Sequence, residues 1–275
     1  MAEIGGFQLV ATIRRVEPNR RIEATTAWTE TDRLRPVGFL LEAVAQAAGW
    51  LIAASTGFAR RGLPLSIGAV RMLADPAPGA PVDLLAEILT WRDTSAVLRG
   101  QASSEGRVLG MAESGICGLL PADQLDDPDA TRKMYAALLA APRGMNGTRA
   151  GAAPPGAPHL HALDPQGAHA TWDLLGGKVL FADHFPRMPV LPGSYQVQAL
   201  VEMAGAVAGP ENGSRGRLAA IRQIRFRRPV RPGEQIDLEV KTIERTAHRV
   251  LLAGHARVGG ERTATIGEMD FGPAA

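Results

Sequence analysis

The chain has 275 residues, 45% of them hydrophobic and 21% charged, with a formal net charge of +2 and a pI near 9.0. This composition is typical of a globular protein that is long enough for two ordinary domains or one large one. The mild positive charge favours acidic partners. It does not predict nucleic-acid binding, because only three of the 30 basic residues are lysines and no basic run is interleaved with aromatic residues.

The sequence also predicts a protein without a membrane span or a secretion signal. No apolar run approaches the ~20 residues that a transmembrane helix needs. The N-terminal residues lack a basic segment followed by an apolar one. The single cysteine, Cys117, forbids an internal disulfide, and we interpret it as a small residue of a buried strand rather than a nucleophile. These features favour a cytoplasmic protein.

One long apolar helix is the first strong element along the chain. After one or two N-terminal strands, apolar residues recur at helical spacing from about Val37 to Ser55, on most of the circumference, so this helix should be buried. Strand-like runs separated by turn residues follow the helix. They lie at Leu65–Leu73, Val82–Trp91, Ala96–Ser103 and Val108–Leu119.

The middle of the chain has a different composition. Asp123–Ala141 contains acidic residues followed by an alanine- and leucine-rich run that predicts a short linker helix. Arg143–Pro158 is rich in Gly, Pro and Ala and is typical of a mobile connector. We therefore expect a first domain over residues 1–122, a linker over 123–158 and a second domain over 159–275.

The second half repeats the first. Glu42–Gly49 matches Gln198–Gly205 at an offset of 156 residues, and Val70–Gly79 matches Ile224–Gly233 at an offset of 154. Chance would not keep a helix, a Pro-Gly turn and a following strand in this order. The sequence thus predicts an α+β fold in two tandem copies, each with an antiparallel sheet wrapped around one central helix. The strands expected after the second helix are Leu218–Phe226, Gln235–Arg245, Arg249–Arg257 and Arg262–Phe271.

A proline-rich loop delivers a histidine to the start of the second helix. His184 precedes three prolines, which fix φ and exclude regular structure, and Gly193 then opens an apolar run at helical spacing. The N–H groups and the dipole at a helix N-terminus favour developing negative charge. This arrangement is suited to a site that handles a carbonyl group.

These residues carry a family resemblance. His184-Phe-Pro-x-x-Pro-Val-Leu-Pro-Gly193, followed by Ile224-x-Phe-x-Arg-Pro-Val-x-Pro-Gly233, resembles the β-hydroxyacyl-acyl-carrier-protein dehydratases of type II fatty-acid synthesis, which have the hotdog fold. The resemblance covers about Leu160 to Phe271 and, more faintly, about Phe7 to Leu120. It implies a double-hotdog chain, a covalent version of the dimer that such enzymes form. Further association of the chain is left open.

The resemblance also implies a catalytic pair. In the family, a histidine of the His-Phe-Pro loop and an acid on the central helix come from opposite subunits. Here the second copy has His184, but Gln198 stands at the position of the acid. The first copy has Glu42 at that position, while Trp28 or its neighbours stand where the histidine would be. If the copies pack like the family dimer, His184 and Glu42 form one complete site.

The chemistry of dehydration assigns roles to these groups. Eliminating water from a 3-hydroxyacyl thioester needs a base for the C2 proton and an acid for the C3 hydroxyl, and imidazole can act as a base near neutral pH. A carboxyl must be protonated to act as the acid, so Glu42 should lie in an apolar pocket. We expect N–H groups near Val37 and Gly38 to polarise the carbonyl, although Val37 departs from the family's Pro-Gly. Gln46 could orient Glu42 or bond to the backbone. The substrate-binding residues expected are Val37, Gly38, Gln46, Phe185, Pro186 and Gly193.

Partners and cofactors follow from the same resemblance. The substrate would be carried on the phosphopantetheine of an acyl carrier protein, with no other cofactor. Alternation along a strand would place Arg225 and Arg227 on one face, where they could dock the acidic carrier protein, and a solvated sheet face explains them equally well. No metal site is expected, because the other histidines lack ligand spacing. They are His159, His161, His169, His248 and His255.

Two other functions remain open. A hotdog thioesterase would use a helix carboxylate such as Glu42 to promote attack by water and would not need His184. A non-catalytic acyl-binding or partner subunit would bind an acyl group without turnover, as the loss of the acid at Gln198 suggests. The release of free thiol distinguishes the first alternative, and the absence of turnover distinguishes the second.

Overall fold

The structure is a computed structural model that describes residues 8–28, 34–142, 156–174, 181, 184–211, 214–215 and 217–272. The predicted connector lies mostly outside the described residues. The first copy comprises β1 (Thr12–Glu17), β2 (Arg21–Ala27), α1 (Pro36–Ser55), β3 (Arg60–Met72), β4 (Pro81–Arg92), β5 (Ser95–Ser104) and β6 (Arg107–Pro121). A 3-10 turn, Ala122–Gln124, leads to the linker helix α2 (Pro128–Ala140). The second copy comprises β7 (His159–Asp164), β8 (Gly167–Asp173), α3 (Gly193–Ala208), the two-residue strands β9 (Pro210–Glu211) and β10 (Ser214–Arg215), β11 (Arg217–Phe226), β12 (Gln235–Arg245), β13 (Val250–Val258) and β14 (Glu261–Gly272).

The two copies share one antiparallel sheet of twelve strands. Its order is β1-β2-β4-β5-β6-β3-β11-β14-β13-β12-β8-β7, so β3 and β11 join the copies at the centre. In that pair Val70 faces Ile221 and Ile67 faces Ile224. The 154-residue offset of the repeat converts the first of these pairs into the second. The strands therefore meet across a pseudo-twofold axis, as two subunits of a dimer would.

Each half of the sheet wraps one central helix, which confirms the predicted double-hotdog, α+β fold. The helix and strand positions predicted after Val37 agree with the structure to within a few residues. The largest difference is at β3, which begins at Arg60 because the strand continues through an irregularity between Pro64 and Ser66. The division into domains stays a prediction.

The apolar helix α1 corrects one expectation. This helix has 20 residues, and its most apolar window has a mean hydropathy of 1.6. By length and composition α1 could therefore cross a membrane, whereas the sequence analysis expected no apolar run of that length. Within the fold, 72% of that window is buried. Phe39, Leu51 and Ile52 are completely buried against the sheet. The same composition is what a helix at the centre of a wrapped sheet requires.

The linker helix begins where the sequence offers a cap. The Asp127 carboxylate accepts hydrogen bonds from the N–H groups of Asp129 and Ala130, and Pro128 occupies the first helical position. These signals start the helix at Pro128, upstream of the predicted alanine-rich run. Tyr135 of α2 packs its ring 6.0 Å from the ring of Trp50 in α1. The linker is thereby attached to the first copy.

Candidate active site

A cavity of about 430 Å³ lies where the two copies and the linker meet. The helix α1 forms one side, from Leu41 to Trp50, and the loop that precedes α3 forms another. The linker helix contributes a third side. Exposed lining residues, among them Pro186, Arg187 and Ala130, place the opening between this loop and the start of α2. Of the sequence-predicted site residues, His184, Glu42, Gln46, Phe185, Pro186 and Gly193 all line this cavity.

The histidine loop is held by backbone hydrogen bonds. Val190 N–H donates to the carbonyl oxygen of His184 at 2.8 Å, and the Nδ1 atom of His184 lies 3.2 Å from the carbonyl oxygen of Val190. A carbonyl only accepts, so Nδ1 carries a proton in this contact. In the neutral ring Nε2 then has the lone pair and is the proton-accepting nitrogen. The loop therefore fixes the tautomer of His184 as a base requires.

Glu42 receives hydrogen bonds from both copies. The side chain of Ser194, at the start of α3, donates to Oε2 at 2.7 Å, and Gln46 Nε2 donates to Oε1 at 3.0 Å. Glu42 is only 6% exposed. Gln46 also accepts a hydrogen bond from Leu9 N–H at 2.6 Å. Glu42 is thus fixed in place by one residue of its own helix and one residue of the other copy. Ser194 was not predicted, because it follows the last residue of the recognised motif.

The N-terminus of α3 faces the same cavity. Pro192, at the N-cap position, makes no side-chain cap, and its carbonyl oxygen accepts a hydrogen bond from Tyr195 N–H at 3.1 Å. A Cβ atom on Gly193 would come within 2.5 Å of the Phe226 ring of β11. Only glycine allows this close approach between helix and strand. The donors available to a bound carbonyl oxygen are therefore those near Gly193 and Ser194.

Val37 and Gly38 lie elsewhere, which corrects the predicted location of the carbonyl-binding N–H groups. They stand at the N-terminus of α1, where a Cβ atom on Gly38 would overlap Oε1 of Gln198. An offset of 156 residues places Gly38 at the position of Ser194 and Glu42 at that of Gln198. In each copy the N-terminus of the helix thus faces the acid position of the other copy. The sequence analysis had expected the carboxyl of Glu42 and the carbonyl-binding N–H groups to belong to the same helix.

The second acid position has a different chemistry. Gln198 Oε1 accepts a hydrogen bond from Arg35 N–H at 2.8 Å, and Gln198 Nε2 donates to Glu202 at 3.1 Å. The amide oxygen therefore occupies the N-terminus of α1, where a substrate carbonyl would otherwise bind. Trp28 Nε1 donates to the carbonyl oxygen of Leu34 at 3.0 Å. Residues 29–33, which follow Trp28 near the position where the first copy lacks the histidine, lie outside the described residues.

A buried charged pair in the cavity wall was not predicted. Arg61 Nη1 of β3 lies 2.9 Å from Asp126 Oδ2, an ion pair that lacks hydrogen-bond geometry. The Arg61 guanidinium also lies 5.5 Å from the ring centres of Trp50 and of Phe185. Burial lowers the pKa of Arg61, and the charge of Asp126 opposes this decrease. Burial raises the pKa of Asp126, and Arg61, His184 and Arg187 oppose that increase. No sequence motif predicts this pair, because Arg61 belongs to a strand and Asp126 to the linker.

The predicted docking arginines lie away from this cavity. Arg225 and Arg227 share one face of the β11 segment, as predicted, and line a shallow depression of about 290 Å³ with Lys241 and Arg262. Phe226, between them, lines the active-site cavity instead. The two arginines and the cavity that contains His184 and Glu42 thus lie on opposite faces of the sheet.

The remaining titratable candidates lie outside the cavity. Burial raises the pKa of Cys117 to about 12, so its thiol stays protonated at neutral pH, in keeping with a small core residue. Among the described residues, no group of three or more His, Cys, Asp or Glu side chains could hold a metal ion. The rings of His159, His161 and His169 stack on strands β7 and β8.

Comparisons with known proteins identify sequence relatives of the second copy. The family model described as ApeI dehydratase matches residues 162–258, in the second copy. A 3-hydroxyacyl-[acyl-carrier-protein] dehydratase FabZ from Solibacter usitatus is 39% identical over 84 residues, covering 29% of this chain and 52% of that protein. The FabZ of Aliivibrio fischeri is 34% identical over 98 residues, covering 34% of this chain and 65% of that protein. The chain thus spans about half to two thirds of the length of these relatives.

Solved structures extend the likeness to both copies. A protein assigned as an oleoyl thioesterase, from Lactobacillus plantarum, superposes with a TM-score of 0.61 at 12% identity, over 92% of this chain and 96% of the other. A MaoC-like dehydratase superposes with a TM-score of 0.57 at 12% identity, over 88% and 85%. At these identities the structures show the fold alone. Taken with the sequence relatives, they show that the chain has a hotdog fold in both copies and that its second copy is similar in sequence to 3-hydroxyacyl-[acyl-carrier-protein] dehydratases.

Proposed function

We propose that the chain is a dehydratase that eliminates water from a 3-hydroxyacyl thioester, carried on an acyl carrier protein, to give the trans-2-enoyl thioester. The observation that carries this proposal is the shared cavity. His184 of the second copy and Glu42 of the first both line it, together with the N-terminus of α3. A base, an acid and a set of carbonyl-binding N–H groups are the three components that the elimination requires.

The chain's own residues perform each step of the proposed mechanism. Nε2 of His184 removes the proton from C2, because the Nδ1–H contact with Val190 leaves the lone pair on Nε2. The N–H groups near Gly193 stabilise the negative charge that develops on the thioester oxygen. The protonated carboxyl of Glu42 donates its proton to the C3 hydroxyl, which leaves as water. The donors Ser194 and Gln46 hold Glu42 in orientation.

The asymmetry of the two acid positions supports one working site per chain. An amide cannot donate a proton as a carboxylic acid does, and Gln198 also occupies the N-terminus of α1. The composite site would therefore form only where Glu42 meets the histidine loop of the second copy. In the proposed function no cofactor is needed beyond the phosphopantetheine arm of the carrier, and the work would be done in the cytoplasm. The chain could serve either fatty-acid or polyketide synthesis.

The activity assay tests the proposal directly. The interconversion of 3-hydroxyacyl and trans-2-enoyl carrier-protein thioesters is followed by the absorbance of the enoyl thioester and by mass spectrometry. We expect turnover by the wild type and losses of about 100- to 10,000-fold for His184→Ala and Glu42→Gln, because each removes a general acid or base. Gln198→Ala and His169→Ala, outside the cavity, are the matched controls and should keep most activity. A fully active Glu42→Gln variant would contradict the composite site.

A thioesterase is the second candidate, because the oleoyl thioesterase neighbour shares the fold and Glu42 lies on the central helix. Such an enzyme would use Glu42 to promote attack by water on the thioester. It would release free thiol and would tolerate His184→Ala. The same reactions, assayed with a thiol reagent, distinguish the two functions. If neither the enoyl product nor thiol forms, a non-catalytic acyl-binding subunit is favoured.

A further inference from the structure

The charged pair Arg61–Asp126 has no role in the elimination mechanism, although it lies in the wall of the cavity. The Arg61 side chain is 18% exposed and that of Asp126 is 12% exposed. Both line the same cavity as His184 and Glu42. An aliphatic acyl chain gains nothing from a buried charge, and charged groups are rarely buried without a partner or a function. The pair therefore calls for an explanation in terms of what the cavity binds.

The contacts of Arg61 orient its guanidinium without using most of its hydrogen bonds. In the part of the chain that the structure describes, these contacts are the Asp126 ion pair and the rings of Trp50 and Phe185. A guanidinium has five N–H donors in one plane. The Trp50 and Phe185 rings contact the guanidinium without accepting a conventional hydrogen bond, and one of its nitrogen atoms, Nη1, meets Asp126. The side chain stays partly exposed, so its other N–H groups can donate to water or to an acceptor on a molecule bound in the cavity.

The position of Arg61 puts that acceptor inside the substrate cavity. Phe185 directly follows His184, and Trp50 lies two turns beyond Glu42 on α1, about 12 Å along the helix axis. Arg61 therefore stands beside the path from the reacting groups along α1. Donors of a charged group that face a binding cavity can exchange water for an acceptor of the bound molecule. A bound molecule that fills the cavity must lie within reach of this guanidinium.

We propose that Arg61, oriented by Asp126 and the two rings, is a substrate-binding residue that donates hydrogen bonds to an oxygen acceptor of the thioester substrate. This inference rests on the proposed function for the identity of the ligand as an acyl thioester. Two parts of such a ligand carry the required oxygen. One is the amide carbonyl of the pantetheine arm that lies farther from the sulfur, and the other is an oxygen substituent on the acyl chain. Asp126 is a positioning residue in this arrangement.

A binding experiment tests the role of Arg61 without requiring turnover. Calorimetry would measure the Kd of four unreactive hexyl thioethers for wild type, Arg61→Met and the control Arg60→Met, which removes an exposed charge next to it on β3. The thioethers carry either pantetheine or the shorter N-acetylcysteamine. Each is made with a plain hexyl chain and with a hexyl chain that ends in a hydroxyl group.

The expected result is a preference that depends on Arg61. The wild type and Arg60→Met should bind one oxygen-bearing analogue about 10- to 100-fold more tightly than its matched counterpart, as for a hydrogen bond from a charged donor. In Arg61→Met this ratio should fall towards one. If Arg61→Met loses the Kd ratio between the pantetheine and N-acetylcysteamine forms, the acceptor lies on the arm. If it loses the Kd ratio between the hydroxyl-bearing and plain chains, the acceptor lies on the acyl group. Equal ratios in wild type and Arg61→Met would overturn the proposal.

Two further comparisons keep the experiment decisive. Arg61→Met leaves Asp126 buried without its partner, which can lower the melting temperature. In that case the double variant Arg61→Met/Asp126→Asn, which removes both charges, is used instead of the single variant. The ratio should be lost in the double variant as well. A wild type that shows the Arg61-dependent preference but converts no 3-hydroxyacyl thioester would refute the proposed function alone.

Discussion

Glu42 takes its orientation from a residue that the family motif does not include. Ser194 lies one position after Gly193, the last residue of the histidine-loop motif, and contacts Glu42 from the other copy at 2.7 Å. The corresponding residue in the first copy is Gly38, which has no side chain to offer. The hydroxyl group thus distinguishes the position with the acid from the position with Gln198. We infer that Ser194 fixes the carboxyl for proton transfer.

The variant Ser194→Ala tests this role. The Ser194 hydroxyl would stabilise the carboxylate that Glu42 becomes as it gives up its proton, and loss of a hydrogen bond to a charged group costs about 1.5–3 kcal/mol, so kcat should fall by about 10- to 100-fold. KM should change little, because Ser194 contacts Glu42 rather than the substrate. Steady-state kinetics measure both constants. Ser104→Ala, which removes another buried hydroxyl with a 2.7 Å hydrogen bond far from the cavity, is the control. An unchanged kcat in Ser194→Ala would contradict the role.

At this scale, the sequence predicted the residues that belong to a motif and missed those that do not. The loop residues His184, Phe185 and Pro186 lie in the cavity, as their order along the chain indicates. Val37 and Gly38 were placed wrongly because the crossing of two helices cannot be derived from either helix alone. Arg61 was missed for a related reason. An arginine at the start of a strand is common on surfaces, and only the tertiary fold encloses it between two rings.

The strand β11 connects the site to a second surface. Successive side chains of a strand point to opposite faces, so Phe226 contacts the active-site cavity while Arg225 and Arg227 face outwards. The outer depression also contains Glu239, which pairs with Lys241 at 2.6 Å and lies 3.2 Å from His255. Four basic side chains thus surround one acidic side chain. This excess of positive charge supports the proposal that the face attracts an acidic carrier protein.

Charge reversal tests the docking face. Arg225→Glu or Arg227→Glu should raise KM several-fold for a carrier-bound substrate, because steering by charge is lost, and should spare a small thioester analogue. The effect should weaken at high salt. Arg217→Glu, at the other end of the same strand, controls for net charge. Equal effects on both substrates would mean that the arginines support the fold or the site rather than docking.

The elements themselves were predictable because both local signals and the repeat pointed to them. The Pro-Gly turns of the two copies place Gly79 and Gly233 at φ values of 77° and 82°, where glycine is strongly favoured. Helical periodicity located α1 and α3. The linker helix was expected from its composition, but its contact with Trp50 and its place in the cavity wall depend on packing.

The whole molecule has the pseudo-symmetry of a dimer, but the two acid positions carry different residues. The central β3–β11 pair relates the two copies by a pseudo-twofold axis, yet Glu42 and Gln198 differ at equivalent positions. Gln198 closes the N-terminus of α1 by accepting from Arg35 N–H. Among the described residues, the N-terminus of α3 is the one that lines the cavity beside Glu42. The architecture therefore predicts one acyl-binding site per chain rather than two.

Binding stoichiometry tests this prediction. Titration calorimetry with an unreactive acyl-pantetheine thioether should give one equivalent per chain for the wild type. Glu42→Gln, which keeps the shape of the cavity, should bind the same single equivalent. A value of two for the wild type would show that the position of Gln198 also accepts an acyl group. Such a result would replace the single-site view with one catalytic and one storage site.

The presence of both copies in one polypeptide, joined at the central strand pair, also has an evolutionary consequence. In a homodimer of identical subunits, every substitution appears on both sides of the axis, so a glutamate exchanged for glutamine would be lost from both sites at once. Joining the copies in one polypeptide removes this constraint, and each half can then accumulate changes that the other half tolerates. Gln198 and Glu42 are the trace of that independence. Under the proposed function, neither half could act as a self-paired enzyme, because each supplies only one residue of the proposed pair His184 and Glu42.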